Sequence, residues 1–149
     1  MEPAPPHLLL VEAPYYQHLA ALLHRGAVRA IEAAGATFDS AAVPGAFEIP
    51  AAIAAAACAG APYDGYVALG CVIRGETSHY DHICEETARA LQDLAIRDGL
   101  AIGYGILTVE NEQQALVRAD PDGRDKGGEA VRACLAVVGL KLRFAGGGR

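Results

Sequence analysis

Apolar residues follow two alternating patterns along the chain. The first pattern is a short, nearly continuous apolar run of the kind that forms a strand buried on both faces. Glycine or proline follows most of these runs closely, which is typical of strands that end in turns. The predicted strands cover residues 7–11, 37–43, 66–73 and 100–109.

The second pattern places apolar residues three or four positions apart, which predicts amphipathic helices. In the first helix Leu19, Leu23, Ala27 and Ile31 share one face, and Gly35 marks its end. Pro50 suits the first turn of the alanine-rich second helix. The predicted helices cover residues 17–34, 50–60, 79–97, about 112–118 and about 127–144.

Apolar strands that alternate with helices predict a parallel sheet with helices on both faces. With right-handed crossovers, the predicted fold is α/β: a three-layer α-β-α sandwich around a four-stranded parallel sheet in flavodoxin-like order. We expect one domain over residues 1–149. Residues 1–6, which contain three prolines, should form a flexible arm, and residues 146–149 a frayed tail.

Composition narrows the possible partners. The 149 residues carry a formal net charge of −6, which argues against a nucleic-acid surface. No apolar stretch is long enough to span a bilayer, and the acidic, proline-rich start does not resemble a secretory signal. Four widely spaced cysteines without a CxxC pair favour small buried hydrophobes in a reducing compartment, so we expect a cytoplasmic protein without membrane association. Its mean hydropathy of +0.20 favours an oligomer.

In an open parallel sheet, ligands bind beyond the carboxyl ends of the strands. Four predicted loops leave such ends, at residues 13–16, 44–48, 74–79 and 110–112. The third is the most informative, because Ser78 is a plausible N-cap for the helix that starts near His79. Free N–H groups there suit a phosphate, with Gly75 and Thr77 beside it. His79 should favour the neutral, base-competent form. From the residues alone, however, a surface histidine at a helix start is the more ordinary interpretation.

The other candidates also have ordinary structural explanations. Glu48 can accept hydrogen bonds from a polyol or simply be a favourable first-turn charge. Tyr15 can stack on a heterocycle or be a half-buried aromatic. Arg118 and Lys126 can meet a phosphate or be solvated. His79 and His82 lack further ligands that would complete a tetrahedral site, so we predict no metal.

Four motifs in register carry a family resemblance. They are PGAFEIP at 44–50, ALGCVIRGETSHYDHI at 68–83, YGILTVEN at 104–111 and DKGGEA at 125–130. The sequence closely resembles the lumazine synthase family from about residue 7 to residue 144. The resemblance implies condensation of 5-amino-6-(D-ribitylamino)uracil with 3,4-dihydroxy-2-butanone 4-phosphate. The products are 6,7-dimethyl-8-ribityllumazine, phosphate and water, in the penultimate step of riboflavin biosynthesis, and no cofactor is required.

The resemblance also implies roles for individual residues. His79 matches the family's proton-transfer histidine, and Arg118 matches the arginine that grips the substrate phosphate. Tyr15 matches the aromatic residue that stacks on the pyrimidine, and Tyr104 matches a position contributed by the neighbouring subunit. The remaining matches are substrate-binding positions: Ala46, Phe47 and Glu48 at the ring and ribityl chain; Cys71, Val72 and Ile73 at the ring; and Glu76, Thr77 and Lys126 near the phosphate.

Three positions depart from the common family pattern. Pro14 stands where many members have a polar or basic residue, and Ala46 replaces a frequent serine. Tyr15 stands where phenylalanine or tryptophan is usual, which retains stacking. None of the three is His79 or Arg118, so we expect activity.

The family resemblance further implies a homo-oligomer with active sites between subunits. A pentamer is favoured over a 60-subunit shell, because Pro3, Pro5 and Pro6 cannot donate the hydrogen bonds that a paired arm would need. Two other classes remain: a non-catalytic flavin- or lumazine-binding module on the same fold, and a structural shell component with secondary catalysis. Detection of the lumazine product would distinguish an enzyme from a binder.

Overall fold

The computed structural model describes residues 4–75 and 79–146, apart from the side chain of His79. Every predicted strand and helix is present, with bounds that differ from the prediction by at most two residues. The elements are β1 His7–Glu12, α1 Gln17–Ala33, β2 Thr37–Ala42, α2 Ile49–Cys58, β3 Gly65–Ile73, α3 His79–Arg97, β4 Ile102–Val109, α4 Glu112–Ala119 and α5 Lys126–Ala145, with a 3₁₀ turn at Ala46–Glu48.

The four strands form one parallel sheet in the order β2-β1-β3-β4. In its central rows Leu10 of β1 lies opposite Ser40 of β2 and Val67 of β3. At the carboxyl end Val72 of β3 lies opposite Thr108 of β4. The predicted α/β sandwich with a flavodoxin-like parallel sheet is confirmed, and β4 is an edge strand.

The core lies on both faces of the sheet because side chains alternate along each strand. Leu8 and Leu10 of β1 pack with Val131 and Cys134 of α5 on one face. Leu9 of β1 belongs to the cluster on the other face, which includes side chains of α2 and α3. A strand buried on both faces must be apolar at every position, which explains the continuous runs in the sequence.

Two glycines in β4 bring α5 very close to the sheet. A Cβ atom on Gly103 would lie 2.0 Å from the carbonyl oxygen of Ala130 in α5, and one on Gly105 would lie 3.1 Å from the Cβ atom of the same alanine. A Cβ on Gly127 would lie 2.2 Å from the carbonyl oxygen of Leu23 in α1. The first turn of α5, which begins at Lys126, is therefore fixed tightly beside β4 and α1.

Three smaller expectations have mixed outcomes. Residues 4–6 of the predicted arm form no helix or strand, and Gly146 caps α5, while residues 1–3 and 147–149 lie outside the described part of the chain. The prediction of buried cysteines is confirmed for Cys134 and only partly for Cys71 and Cys84, which are half-buried. It was wrong for Cys58, which is exposed at the last residue of α2. Within the described residues, no helix is sufficiently long and apolar to cross a membrane.

Candidate functional site

A cleft of about 620 Å³ opens where the first three strands end, and we call it cleft A. The loop after β1, the 3₁₀ turn after β2 and the last residues of β3 all contribute to its wall, as expected for a parallel sheet. Seven predicted site residues line cleft A: Tyr15, Ala46, Phe47, Glu48, Cys71, Val72 and Ile73. It is completed by Tyr16, Gly45 and Ile83.

Two aromatic rings lie exposed at cleft A. Tyr15 is 74% exposed and Phe47 is 56% exposed. The Tyr15 ring makes an edge-to-face contact with Tyr16, with ring centres 4.9 Å apart, and Tyr16 packs against the core beneath it. Ligand sites are typically concave and lined by aromatic and apolar side chains, and these two rings lie together at the mouth of such a cleft. Tyr15 is therefore suitably placed to stack on a flat ring.

The 3₁₀ turn supplies the acidic group of cleft A. The Glu48 backbone N–H donates to the carbonyl oxygen of Gly45 at 3.1 Å. The Glu48 carboxylate lies back over the same glycine, where a Cβ atom would come within 3.2 Å of its Oε1. Ala46 is buried beneath the turn. The carboxylate can accept hydrogen bonds from the hydroxyl groups of a ligand.

Cys71 contributes an apolar wall rather than a nucleophile. Burial raises the pKa of the Cys71 thiol to about 11, so it stays protonated near neutral pH. Its neighbour Val72 points to the opposite face of the sheet, where it packs with Ile83 of α3. The end of β3 thus gives cleft A a largely neutral floor.

The predicted phosphate loop is only partly described. Glu76, Thr77 and the predicted N-cap Ser78 lie outside the described residues, and His79 is described only as the first residue of α3. The segment before the loop is held by Arg74, whose Nε donates to the Glu110 carboxylate at 2.8 and 3.1 Å. This hydrogen bond raises the pKa of the Arg74 guanidinium.

Arg74 also contacts the first turn of α3. Its guanidinium carbon lies 4.4 Å from the centre of the Tyr80 ring, and one of its nitrogens lies 3.7 Å from the Asp81 carboxylate. Together with the Glu110 contact, these interactions join the carboxyl end of β4 to the turn in which His79 lies. The start of α3 is therefore anchored to the sheet through one arginine.

The remaining predicted residues line a second cleft of about 300 Å³, which we call cleft B. It runs along the edge strand β4, where burial raises the pKa of Tyr104. Arg118 donates from a guanidinium nitrogen to the carbonyl oxygen of Gln114 at 3.2 Å, and Lys126 donates to Glu129 at 3.2 Å. Cleft B is lined by Tyr104, Ile106, Leu107, Thr108, Arg118, Arg124, Lys126 and Glu129.

The candidate site is therefore divided within one chain. Among the described residues, none lines both clefts. The aromatic rings and Glu48 belong to cleft A, whereas the predicted phosphate-binding cations belong to cleft B. Loops at one edge of the sheet do not converge on a single cleft, because Arg118 and Lys126 follow the edge strand β4 on helices α4 and α5.

Comparison with known proteins identifies the family. The family model described as 6,7-dimethyl-8-ribityllumazine synthase matches residues 5–141. The chain belongs to this family. The family resemblance predicted from the four motifs is confirmed, and the chain is an enzyme of the transferase class that serves riboflavin biosynthesis.

Curated relatives match over nearly their whole length. The 6,7-dimethyl-8-ribityllumazine synthase of Bartonella tribocorum is 54% identical over 139 residues, which cover 93% of this chain and 92% of the relative. The 6,7-dimethyl-8-ribityllumazine synthase 1 of Rhizobium meliloti is 55% identical, with 94% of each chain covered. The 6,7-dimethyl-8-ribityllumazine synthase of Agrobacterium fabrum is 54% identical, with 95% of this chain and 98% of the relative covered.

Several residues that line the two clefts were not predicted from the sequence. Gly45 and Ile83 in cleft A, and Thr108, Arg124 and Glu129 in cleft B, had no predicted role. Only Arg124 had a usable signal, since it lies two positions before Lys126 in a short basic and acidic stretch. Among the residues that the structure describes, no group of three or more His, Cys, Asp or Glu side chains could hold a metal ion.

Proposed function

We propose that clefts A and B are the two halves of one lumazine synthase active site, completed where two copies of the chain meet. Cleft A of one copy binds 5-amino-6-(D-ribitylamino)uracil, and cleft B of its neighbour binds the phosphate of 3,4-dihydroxy-2-butanone 4-phosphate. The observation that supports this arrangement is the separation of the aromatic and cationic candidates into two clefts without a common residue.

Cleft A has the chemistry that a ribityl-substituted pyrimidine requires. Tyr15 offers an exposed ring face for the heterocycle, and Phe47 adds apolar surface beside it. Glu48 accepts hydrogen bonds from the ribityl hydroxyls. Cys71, Val72 and Ile73 border the ring from the strand end.

Cleft B has the chemistry that a phosphate monoester requires. Arg118 can donate two parallel hydrogen bonds, and Lys126 adds a compact charge. Backbone N–H groups at Glu76 and Thr77, which the family resemblance assigns to the phosphate, would come from the copy that supplies cleft A. His79, at the start of the adjoining helix, moves protons between the substrates.

The reaction suits a catalyst that mainly positions its substrates. The amine of the pyrimidine and the ketone form an imine with loss of one water, and phosphate is then eliminated to leave an enol that becomes a second carbonyl. The ribitylamino nitrogen attacks this carbonyl, and the ring closes with loss of a second water. Holding both reactants in place can supply roughly 7–11 kcal/mol of the barrier at best. The proposed steps involve no metal or organic cofactor.

We further propose a homopentamer that acts in the cytoplasm. A pentamer is favoured over a 60-subunit shell because the prolines of the arm would make poor strand partners for a neighbouring sheet. Light scattering tests this proposal, since a mass near sixty chains would contradict it.

One experiment separates this enzyme from a non-catalytic binding module. The purified protein is incubated with both substrates while lumazine absorbance and phosphate release are recorded. The proposal requires equal amounts of lumazine and phosphate. A protein that binds lumazine but forms neither product would be the binding module instead.

A further inference from the structure

Cleft B contains one cation to which the family motifs assign no role, Arg124. We infer that Arg124 is a third cationic ligand of the substrate phosphate, beside Arg118 and Lys126. This inference rests on the proposed function of cleft B as the phosphate half of the active site. It identifies a binding residue that the motifs alone do not reveal.

The backbone holds Arg124 next to the helical turn that carries Arg118. The Arg124 N–H donates to the carbonyl oxygen of Val117 at 3.1 Å, and Val117 directly precedes Arg118. The approach is close, because a Cβ atom on Gly123 would lie 2.7 Å from the same oxygen. The positions of the two arginines along cleft B are therefore coupled through α4.

Asp125 separates Arg124 from Lys126 and is the one carboxylate adjacent to both in sequence. Its backbone is left-handed, with φ of 49°, and its carboxylate accepts from the N–H of Gly128 at 3.2 Å. The carboxylate lies 3.7 Å from Arg29 and 3.6 Å from Arg132. Asp125 thus engages groups of α1 and α5, while its two neighbours in sequence line cleft B.

The charge of cleft B matches a phosphate monoester. Three cations and one carboxylate, Glu129, line it, which leaves a formal charge of +2 in a chain whose net charge is −6. A phosphate monoester carries a charge of roughly −1.5 to −2 at neutral pH. With Lys126 already 3.2 Å from Glu129, Arg118 and Arg124 supply the charge that a dianion needs.

The test compares Arg124→Gln with Arg143→Gln, which removes an equal charge near the far end of α5. We expect Arg124→Gln to raise the KM for the butanone phosphate about tenfold, as for the loss of one charge-assisted hydrogen bond. The KM for the pyrimidine substrate should stay unchanged. Arg124→Lys should recover part of the loss, and Arg143→Gln should behave like the wild-type protein.

A binding measurement makes the test independent of turnover. Inorganic phosphate is titrated into the assembled protein by calorimetry at constant ionic strength, and Arg124→Gln should weaken its affinity about tenfold. A wild-type KM and a wild-type phosphate affinity in a folded Arg124→Gln protein would overturn the inference. If the wild-type protein formed no lumazine, the proposed function would fail, while the phosphate titration alone would still decide the role of Arg124.

Discussion

The ammonium group of Lys126 lies 5.9 Å from the centre of the Tyr104 ring. Lys126 is the first residue of α5 and Tyr104 lies in the edge strand β4, so the contact joins a helix start to the sheet. The same ammonium group donates to Glu129 at 3.2 Å. A cation over an aromatic ring is attracted within about 6 Å, so the ring and the carboxylate together hold the lysine in cleft B.

Arg118→Ala should selectively weaken binding of the phosphate-bearing substrate. The loss of hydrogen bonds from a charged donor should raise the KM for the butanone phosphate roughly 10- to 100-fold. Steady-state kinetics with each substrate varied in turn measures the effect. Arg97→Ala is the matched control because Arg97 lines neither cleft. An unchanged KM for the phosphate substrate would remove Arg118 from the site.

His79→Ala should slow turnover without abolishing it. General acid–base catalysis typically contributes about 10²- to 10⁴-fold, whereas positioning of the substrates survives the substitution. The measurement is kcat at saturating concentrations of both substrates, with its pH profile. His82→Ala, an exposed histidine on the same helix, should leave kcat unchanged. A wild-type rate in His79→Ala would exclude His79 from the mechanism.

Tyr15→Ala should weaken binding of the pyrimidine substrate. Aromatic stacking contributes about 0.5–1.5 kcal/mol beyond area burial, so the KM for the aminouracil should rise by roughly 2- to 10-fold. Tyr15→Phe keeps the ring and should stay near the wild-type value. If Phe and Ala at this position raised the KM equally, the hydroxyl group rather than stacking would explain the contact.

The cysteines should differ in reactivity towards an alkylating reagent. Burial raises the pKa of Cys71 to about 11 and that of Cys134 to about 12, so the reactive thiolate is scarce at pH 8 and increases only as the pH rises towards those values. Cys58 is exposed. Mass spectrometry of the native protein should detect modification of Cys58 first, and Cys58→Ser should remove this fast phase. Equal modification of Cys58 and Cys134 at pH 8 would contradict the packing described.

Asp125→Ala should destabilise the fold by about 2 kcal/mol. The substitution removes the N-cap of α5 and places alanine in a left-handed backbone, and each change costs about 1 kcal/mol. Asp125→Asn should lose less than half as much, since asparagine tolerates this backbone and can cap the helix. Urea unfolding measures the difference. Asp122→Ala, whose side chain is 83% exposed, serves as the control.

The fold could be predicted from the sequence because the residue patterns that indicate its strands and helices are local and recur along the chain. Leu8 to Val11 form an unbroken apolar run, and Leu19, Leu23 and Ile31 follow a helical period, so strand and helix were easily distinguished. The family resemblance implied a site shared between subunits, but the residue patterns alone did not indicate which residues belong to which cleft. Whether Arg118 and Glu48 share a cleft depends on strand order and on the distance between loops, which no local pattern encodes.

The glycines of β4 limit the substitutions that this enzyme can tolerate in its edge strand. A side chain at Gly103 would meet the backbone of Ala130, and α5 would have to retreat from the sheet with Lys126 at its tip. A substitution that never touches a substrate would then lower the affinity for phosphate. Selection for catalysis should therefore keep Gly103 and Gly105 small, and a screen for lost activity should recover both among its hits.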